Sequence, residues 1–232
     1  MISILCSNYN SSEHIDRYLH YINSQFLKEF EVIFVDAASS DDSLQKISNF
    51  NFREGIKNRI LSCDSRISIY EAWNLAIDNS CYDYVMNYNT DDKLFGNTLY
   101  TLAEYTKLHP HIDVIYSNCF ISSDINHENI VNFYNWNDAN DIQNLLRGCC
   151  CGPFPLLKKE TVINCGMFNS AFTISGDFEM WCRMNSKGAK FKKLDEFLGV
   201  FYQNPNGVST APDEQRTIRH LKEDNWVRET YS

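Results

Sequence analysis

Two adjacent carboxylates, Asp91 and Asp92, follow a run of apolar and aromatic residues that begins at Tyr84. Such a run is typical of a buried strand, and Asp fits the pleat poorly, so we expect the pair at the strand's carboxyl end. Open α/β sheets bind ligands at that end. Paired carboxylates suit a hard divalent cation, which in turn neutralises a diphosphate. The alternative is that residues 90–92 only turn the chain and cap the next helix.

A third carboxylate, Asp177, opens a segment with helical periodicity. Three apolar residues of that segment fall on one helical face and are predicted to be core: Phe178, Trp181 and Met184. At the start of a helix, Asp177 either caps the helix or acts as a base toward a substrate, and spacing alone leaves both open. Glu179 and Arg183 stand four residues apart, the spacing at which opposite charges pair.

The elements that must position these acids alternate regularly through the first 92 residues. Four short apolar runs predict strands over Ile2–Cys6, Glu31–Val35, Asn58–Leu61 and Tyr82–Tyr88, and segments of helical periodicity separate them. This alternation predicts βαβ units and a parallel sheet with right-handed crossovers. The segment contains neither Gly-x-Gly-x-x-Gly nor a P-loop sequence, so dehydrogenase, P-loop and nucleotidyltransferase chemistry all lack their phosphate cradle.

The chain beyond Asp92 alternates less regularly. We predict a helix over residues 98–109, strands over 112–116, 152–157 and 197–202, helices over 158–164 and from 177, and a loop over 204–209. Residues 119–147 give no clear pattern and are expected to hold an irregular ribbon, a short helix over 142–146 and surface for a second substrate. His109 and His111 are expected to be solvated. The mixed-charge helix after Pro212 is interpreted as a solvated arm or a packing helix.

Composition narrows the function classes. A chain of 232 residues with 44% hydrophobic content can bury a full core, and its net charge of −9 argues against a nucleic-acid partner. The first apolar run is too short for a signal peptide or a membrane span, so we expect a cytoplasmic protein. Nine cysteines at irregular spacing do not predict a secreted disulfide framework. Buried thiols are a better account of Cys149–Cys151 than a zinc site.

Five segments, in order, resemble the inverting, nucleotide-sugar-dependent glycosyltransferases of family 2. They are Ile4–Asn10, Phe34–Asp41, Ile69–Asn74, Asn89–Asp92 and Ser175–Arg183. The resemblance spans nearly the whole chain. It implies the GT-A fold, in which a Rossmann-like, mostly parallel central sheet is flanked by helices and extended by a small antiparallel sub-sheet on the acceptor side. The expected organisation is one domain, with a nucleotide-sugar half (residues 1–92), an acceptor half (93–210) and a helical tail (211–232).

The resemblance also implies roles for individual residues. Asp177 would be the general base. Asp92 would bind Mn²⁺ or Mg²⁺ across the two phosphates, with Asp91 at the ribose and beside the metal. The remaining donor-binding residues would be Ser7, Tyr9, Asp36, Arg66 and Asn74. Glu179 is the reserve for the base, and His220 a further candidate metal ligand.

The donor is expected to be UDP-linked, since the carboxylate of Asp36 would accept a hydrogen bond from a uracil imide. Many members of the family have a second acid after that position, where this chain has Ala37. The acceptor is expected to be a glycan or a lipid-linked saccharide in polysaccharide biosynthesis, and homodimer formation and peripheral membrane association are left open. The alternative from another class is a non-catalytic protein that binds nucleotide sugars or glycans on the same fold.

Overall fold

The computed structural model describes residues 1–148 and 151–232, and in them apolar runs and amphipathic segments form nine strands and eight helices. The strands are β1 (Ile2–Asn8), β2 (Phe30–Asp36), β3 (Ile56–Ser62), β4 (Tyr84–Asn87), β5 (Lys93–Leu94), β6 (Val114–Ser122), β7 (Ile130–Tyr134), β8 (Leu156–Lys158) and β9 (Phe191–Tyr202). The helices are α1 (Ile15–Asn23), α2 (Ser43–Asn49), α3 (Ile69–Asn79), α4 (Thr98–Leu108), α5 (Ile142–Arg147), α6 (Lys159–Cys165), α7 (Gly176–Ser186) and α8 (Glu214–Tyr231). The strands and helices predicted for the first 92 residues are all present, with ends shifted by a few residues.

All nine strands join one sheet in the order β3-β2-β1-β4-β8-β6-β9-β5, with β7 paired to β6 beyond the end of β8. The pairs β3-β2, β2-β1, β1-β4 and β6-β9 are parallel. Strands β8, β7 and β5 pair antiparallel with their neighbours. The predicted fold class, a mostly parallel sheet with antiparallel additions, is therefore confirmed.

The second half differs from expectation mainly in strand length. β6 continues to Ser122, where an irregular segment was predicted, and β9 begins at Phe191, six residues before the predicted strand. These two strands pair with each other along most of their length, through two register shifts. Polar residues such as Asn118 interrupt the apolar pattern at those shifts, which is why periodicity underestimates both strands.

Side chains alternate between the two faces of the sheet and so build two cores. In β1, Ile4 and Cys6 pack on the face covered by α1 and α4, whereas Leu5 packs on the opposite face. That opposite face is covered by α3 and α7, through large buried side chains that include Tyr70, Trp73 and Trp181. The sheet is therefore enclosed between two helical layers.

Local capping chemistry fixes the ends of the helices nearest the site. Ser68 accepts a hydrogen bond from the backbone of Glu71, whose side chain accepts one from the backbone of Ser68, a capping box that starts α3. Asp213 caps the first turn of α8 in a similar way.

No helix in the described ranges combines the length and apolarity needed to cross a bilayer.

Five of the seven cysteines that the structure describes are buried: Cys6, Cys119, Cys151, Cys165 and Cys182. The prediction of buried thiols is met at Cys151, while Cys149 and Cys150 lie outside the described residues. Within the described part of the chain, no cluster of three or more His, Cys, Asp or Glu side chains is placed to hold a metal ion.

The contact between β9 and β5 requires a glycine. A Cβ added at Gly199 would lie 2.4 Å from the carbonyl oxygen of Lys93 and 2.6 Å from the ring of Phe154. We expect Gly199→Ala to lower the free energy of unfolding by about 1–3 kcal/mol, because overpacking displaces neighbouring atoms. Urea unfolding measures the change. Gly148→Ala is the matched control, since its Cβ would meet nothing within 4 Å, and equal midpoints for the two variants would contradict the prediction.

Candidate active site at the carboxyl edge of the sheet

The ends of β1 and β2 are joined by a buried carboxylate, Asp36. Its Oδ1 accepts a hydrogen bond from Asn8 Nδ2 at 2.6 Å, and its Oδ2 accepts one from the backbone N–H of Ser39 at 3.1 Å. Asp36 is 2% exposed, and the turn that covers it passes through Ala38 with a φ of 59°. Asp36 therefore holds the turn after β2, and its contact with a nucleobase stays a prediction.

Two of the predicted donor-binding residues meet at the exposed rim beside this turn. The guanidinium of Arg66 lies 4.3 Å from the ring centroid of Tyr9. Tyr9 follows β1, and Arg66 lies in the loop between β3 and α3. Ser7 is half-buried near the end of β1, opposite Val35. A flat aromatic face beside a cation can stack a base and contact a phosphate.

Asn74 is engaged elsewhere. Its Nδ2 donates to the carbonyl oxygen of Phe168 at 2.7 Å, and its Oδ1 accepts from the N–H of Phe168 at 2.9 Å. This reciprocal pair fastens α3 to the segment between α6 and α7. The observed role of Asn74 is therefore to join elements, and its expected place among the donor-binding residues stays untested.

Asp92, predicted to be the main metal ligand, points into the protein. It is 1% exposed, and its Oδ1 accepts from the backbone N–H of Tyr202 at 3.1 Å. Within the described chain its Oδ2 is buried without a hydrogen-bond partner. Burial, together with the charge of Asp91, raises the pKa of Asp92 well above its usual range. One carboxylate oxygen of Asp92 is therefore engaged by β9 and the other is left unpaired, and the predicted role of Asp92 as a metal ligand stays a prediction.

Asp91 is the carboxylate that reaches the rim. It is half-buried, and its Oδ2 accepts from Asn204 Nδ2 at 2.9 Å. Its backbone carbonyl lies 2.8 Å from His127 Nε2. A carbonyl only accepts, so Nε2 carries the proton, and burial lowers the pKa of His127, which favours this neutral form. Asp91 is thus held by two loops while its side chain keeps access to solvent.

Asp177 lies at the start of α7 and is also half-buried. Its Oδ1 accepts from the backbone N–H of Phe178 at 2.8 Å. Burial of the carboxyl group raises the pKa of Asp177 to about 6, opposed in part by this backbone hydrogen bond. A carboxylate with a raised pKa is suited to taking a proton at neutral pH.

Tyr70 brings Asp177 to the same edge of the sheet as Asp91. Its hydroxyl donates to the carbonyl of Ile174 at 2.7 Å and accepts from the N–H of Gly176 at 2.8 Å. Tyr70 is the second residue of α3, which follows the carboxyl end of β3. Because β3, β2, β1 and β4 run parallel, that end lies at the edge where β4 leads into Asp91. The start of α3, to which Tyr70 ties the residues just before Asp177, therefore follows that edge.

A comparison with known proteins identifies the family. The sequence pattern of the family described as "Glycosyl transferase family 2" matches residues 3–165, more than half of the chain. The chain belongs to this family. The predicted family membership is therefore confirmed, and the protein is a glycosyltransferase.

Curated relatives carry the same activity in their names. The chain is 23% identical over 224 residues to a PGL/p-HBAD biosynthesis glycosyltransferase of Mycobacterium bovis (strain BCG / Pasteur 1173P2), covering 95% of this chain and 84% of the relative. It is 25% identical over 208 residues to the amylovoran biosynthesis glycosyltransferase AmsB of Erwinia amylovora, covering 86% of this chain and 69% of the relative.

Solved structures show the fold. TarS of S. aureus (residues 1-349) with UDP-GlcNAc aligns with a TM-score of 0.76 at 16% identity, covering 99% of this chain and 71% of that chain. In another TarS structure the match covers only 37% of that chain, so TarS extends well beyond the matched region. The mannosyltransferase PcManGT of Pyrobaculum calidifontis, with GDP-Man and Mn²⁺, aligns with a TM-score of 0.67 at 16% identity, covering 99% of this chain and 72% of that chain.

Glu179, the second candidate for the general base, has a structural role. It is 2% exposed and forms a bidentate ion pair with Arg183, with both N···O distances at 2.8 Å. Its Oε1 also accepts from the hydroxyl of Tyr231 at 2.8 Å. Arg183 in turn donates to the carbonyls of Cys165 and Met167. The pairing predicted from the spacing of Glu179 and Arg183 is present, and it engages both carboxylate oxygens of Glu179.

Sequence reasoning missed the two residues that hold Asp91. His127 lies in residues 119–147, which gave no clear pattern, and Asn204 was predicted only as part of a loop over 204–209. Each contacts Asp91 across a sequence separation of more than thirty residues. Such contacts have no periodic signal.

The two histidines predicted to be solvated lie at the surface. His111 is exposed, and His109 is half-buried and stacks on Tyr105.

We expect Glu179→Ala to destabilise the protein by about 3 kcal/mol, because it leaves the guanidinium of Arg183, whose side chain is 16% exposed, without its carboxylate. Thermal and urea unfolding measure this loss. Glu160→Ala, on the exposed side of α6, is the matched control and should change stability by no more than about 0.5 kcal/mol. Glu179→Gln should keep glycosyltransfer activity at low temperature, and a stable but inactive Glu179→Gln protein would restore Glu179 as a base.

Proposed function

We propose that this glycosyltransferase moves a sugar from a UDP-linked donor to an acceptor hydroxyl with inversion, and that Asp177 is the general base. The observation that carries the proposal is the half-buried carboxylate of Asp177, with a pKa of about 6, at the sheet edge that also holds Asp91. A base on the side of the sugar opposite the leaving group produces inversion in a single displacement.

The donor would occupy the rim formed by the ends of β1, β3 and β4. Tyr9 would stack on the base, Arg66 would contact a phosphate, and Ser7 would line the pocket floor. The UDP and UDP-GlcNAc complexes of TarS support a UDP-linked donor, although PcManGT binds GDP-Man on the same fold. Ala37 stands where a second acid would face the base, so GDP and UDP must be compared directly.

A divalent cation fits one of the two adjacent acids. The carboxylate of Asp91 is half-buried at the end of β4, as a ligand shared with a diphosphate must be, whereas that of Asp92 is shielded. We therefore propose that Asp91 holds Mn²⁺ or Mg²⁺ and that Asp92 anchors β9 through Tyr202. When bound, the cation would offset the charge that grows on the departing diphosphate.

The chemical step would then be a direct displacement. The oxygen of the acceptor hydroxyl forms a bond to the anomeric carbon while its proton passes to the carboxylate of Asp177. The bond between the anomeric carbon and the diphosphate oxygen breaks, and its electron pair leaves with the nucleoside diphosphate. Tyr70 and the backbone of α7 hold Asp177 in place during this transfer.

The acceptor is proposed to be a glycan or a lipid-linked saccharide. The relatives are named for PGL/p-HBAD biosynthesis and amylovoran biosynthesis, which supports an acceptor in glycoconjugate or polysaccharide assembly. The surface beyond β6, including β7 with its exposed Ile130, Val131 and Phe133, lies in the half expected to bind it. Hydrolysis of the donor, with water as acceptor, tests the donor reaction without knowledge of this partner.

The two acids give opposite expectations for metal-dependent nucleotide binding. Titration of UDP with and without Mn²⁺ should show that Asp91→Asn loses at least about tenfold of the Mn²⁺-dependent affinity, since even changes around a metal ligand cost 10–100-fold. Asp92→Asn should keep it, because an amide oxygen still accepts from Tyr202. If Asp92→Asn lost the Mn²⁺ effect and Asp91→Asn kept it, Asp92 would be the ligand. If neither UDP nor GDP bound to the wild-type protein, the assignment of the donor site would be wrong.

The rate of UDP-sugar hydrolysis should rise with pH and level off, with a midpoint near pH 6, because the carboxylate of Asp177 accepts a proton only when ionised. Asp177→Asn should lower kcat by about 10²–10⁴-fold and leave the affinity for UDP unchanged. Steady-state kinetics from pH 5 to 8 measure both quantities. A fully active Asp177→Asn enzyme would refute the assignment of the base, and a protein that binds UDP without hydrolysis or transfer would be a binding protein.

A further inference from the structure

The C-terminal helix α8 is fastened to the turn that precedes α7. One carboxylate, that of Glu223, accepts three backbone hydrogen bonds from this turn. They come from the N–H groups of Thr173 at 2.9 Å, Ile174 at 2.8 Å and Ser175 at 2.8 Å. Charge-assisted bonds of this kind are about twice as strong as neutral ones. The last residue of the turn lies two positions before Asp177.

The next residue of α8 strengthens the same connection. Asp224 Oδ1 accepts from the hydroxyl of Ser175 at 2.6 Å. The carboxylate of Asp224 also pairs with His220 at 3.5 Å and with Arg228 at 3.3 Å. Farther along, Val227 is fully buried, and Arg228 donates to the carbonyl of Leu146 at 2.9 Å. Of the two interpretations given to this helix, the packing helix is therefore correct.

We infer that α8 belongs to the catalytic apparatus: Glu223 is a positioning residue for Asp177, and the His220–Asp224 pair sets the charge around it. The inference rests on the proposed function of Asp177. The family match ends at residue 165, so neither α7 nor α8 is part of it. The basis for the role of α8 is its contacts.

The start of α7 has little freedom to move on its other side. A Cβ added at Gly176 would lie 2.7 Å from the ring of Tyr70, so the backbone of the first turn is pressed against α3. Tyr70 on one side and Glu223 on the other therefore clamp the residues just before the base. Misplacement of a reacting group by about 1 Å can cost 10²-fold in rate. The clamp should accordingly affect the chemical step more than donor binding.

Two charged groups of α8, those of Asp224 and His220, act on Asp177. Asp224 raises the pKa of Asp177 and His220 lowers it, with burial as the largest cause of the observed rise. The carboxylate of Glu223 is engaged by three backbone N–H groups. The hydroxyl of Tyr70, from α3, is held in two hydrogen bonds. Tyr70 stays neutral because burial raises its pKa well above its usual range. Replacing Asp224 or His220 should therefore move the pH at which the base becomes active, in opposite directions.

The first test compares Glu223→Gln with Glu229→Gln, an exposed residue of the same helix. An amide cannot accept all three N–H groups, so Glu223→Gln should lower kcat for UDP-sugar hydrolysis by about 10–100-fold at an unchanged UDP affinity. Glu229→Gln should behave as wild type. A Glu223→Gln enzyme with wild-type kcat, or one that loses kcat and UDP affinity together with its folded circular dichroism spectrum, would overturn the positioning role.

The second test keeps the clamp and changes only charge. Asp224→Asn can still accept from Ser175, but it removes a negative charge, so the pH midpoint of kcat should fall below that of wild type. His220→Gln should raise the midpoint. Midpoints equal to wild type in both variants would refute the electrostatic role, because a purely structural contact does not move a pH profile. If wild type and Asp177→Asn behave as proposed while these variants are silent, only this inference fails; if Asp177→Asn is fully active, the proposed function fails first.

Discussion

The site depends on one constraint, the parallel pairing of β1 with β2 on one side and with β4 on the other. Parallel neighbours place their carboxyl ends at the same edge, and the register sets Asn8 opposite Asp36. The same pairing carries β4 to the point where it ends just before Asp91. Every later element, including α7 and α8, is placed relative to that edge. A change in this pairing would move apart, in space, groups that are distant in the sequence and meet only through the sheet.

The acids near this edge divide by their access to solvent. Asp36, Asp92 and Glu179 are almost fully buried, and each accepts hydrogen bonds from the protein itself. Burying a carboxylate costs free energy unless such donors compensate it. At Asp92 the compensation reaches only Oδ1, because Oδ2 has no hydrogen-bond partner in the described chain. Asp91 and Asp177 are half-buried, so part of each side chain is accessible to solvent. Exposure, more than residue type, separates structural acids from those proposed to do chemistry.

The two half-buried acids are supported from parts of the chain that a nucleotide-binding half would not contain. His127 after β6 and Asn204 after β9 hold Asp91, while Glu223 and Asp224 on α8 hold the approach to Asp177. Strands β6 and β9, which lead into the segments that hold Asp91, form one of the most extensive pairings in the sheet.

The sequence by itself determined the alternation of strands and helices, the family, and the positions where strands end in polar residues. These features depend on periodicity and on neighbours a few residues apart, such as the capping box of Ser68 and Glu71. Only the tertiary structure decided which of two adjacent aspartates faces outward, because the answer depends on the N–H of Tyr202, 110 residues away from Asp92. It likewise turned Asn74 and Glu179 toward buried partners and gave α8 its place, since burial and long-range hydrogen bonds leave no trace in local spacing.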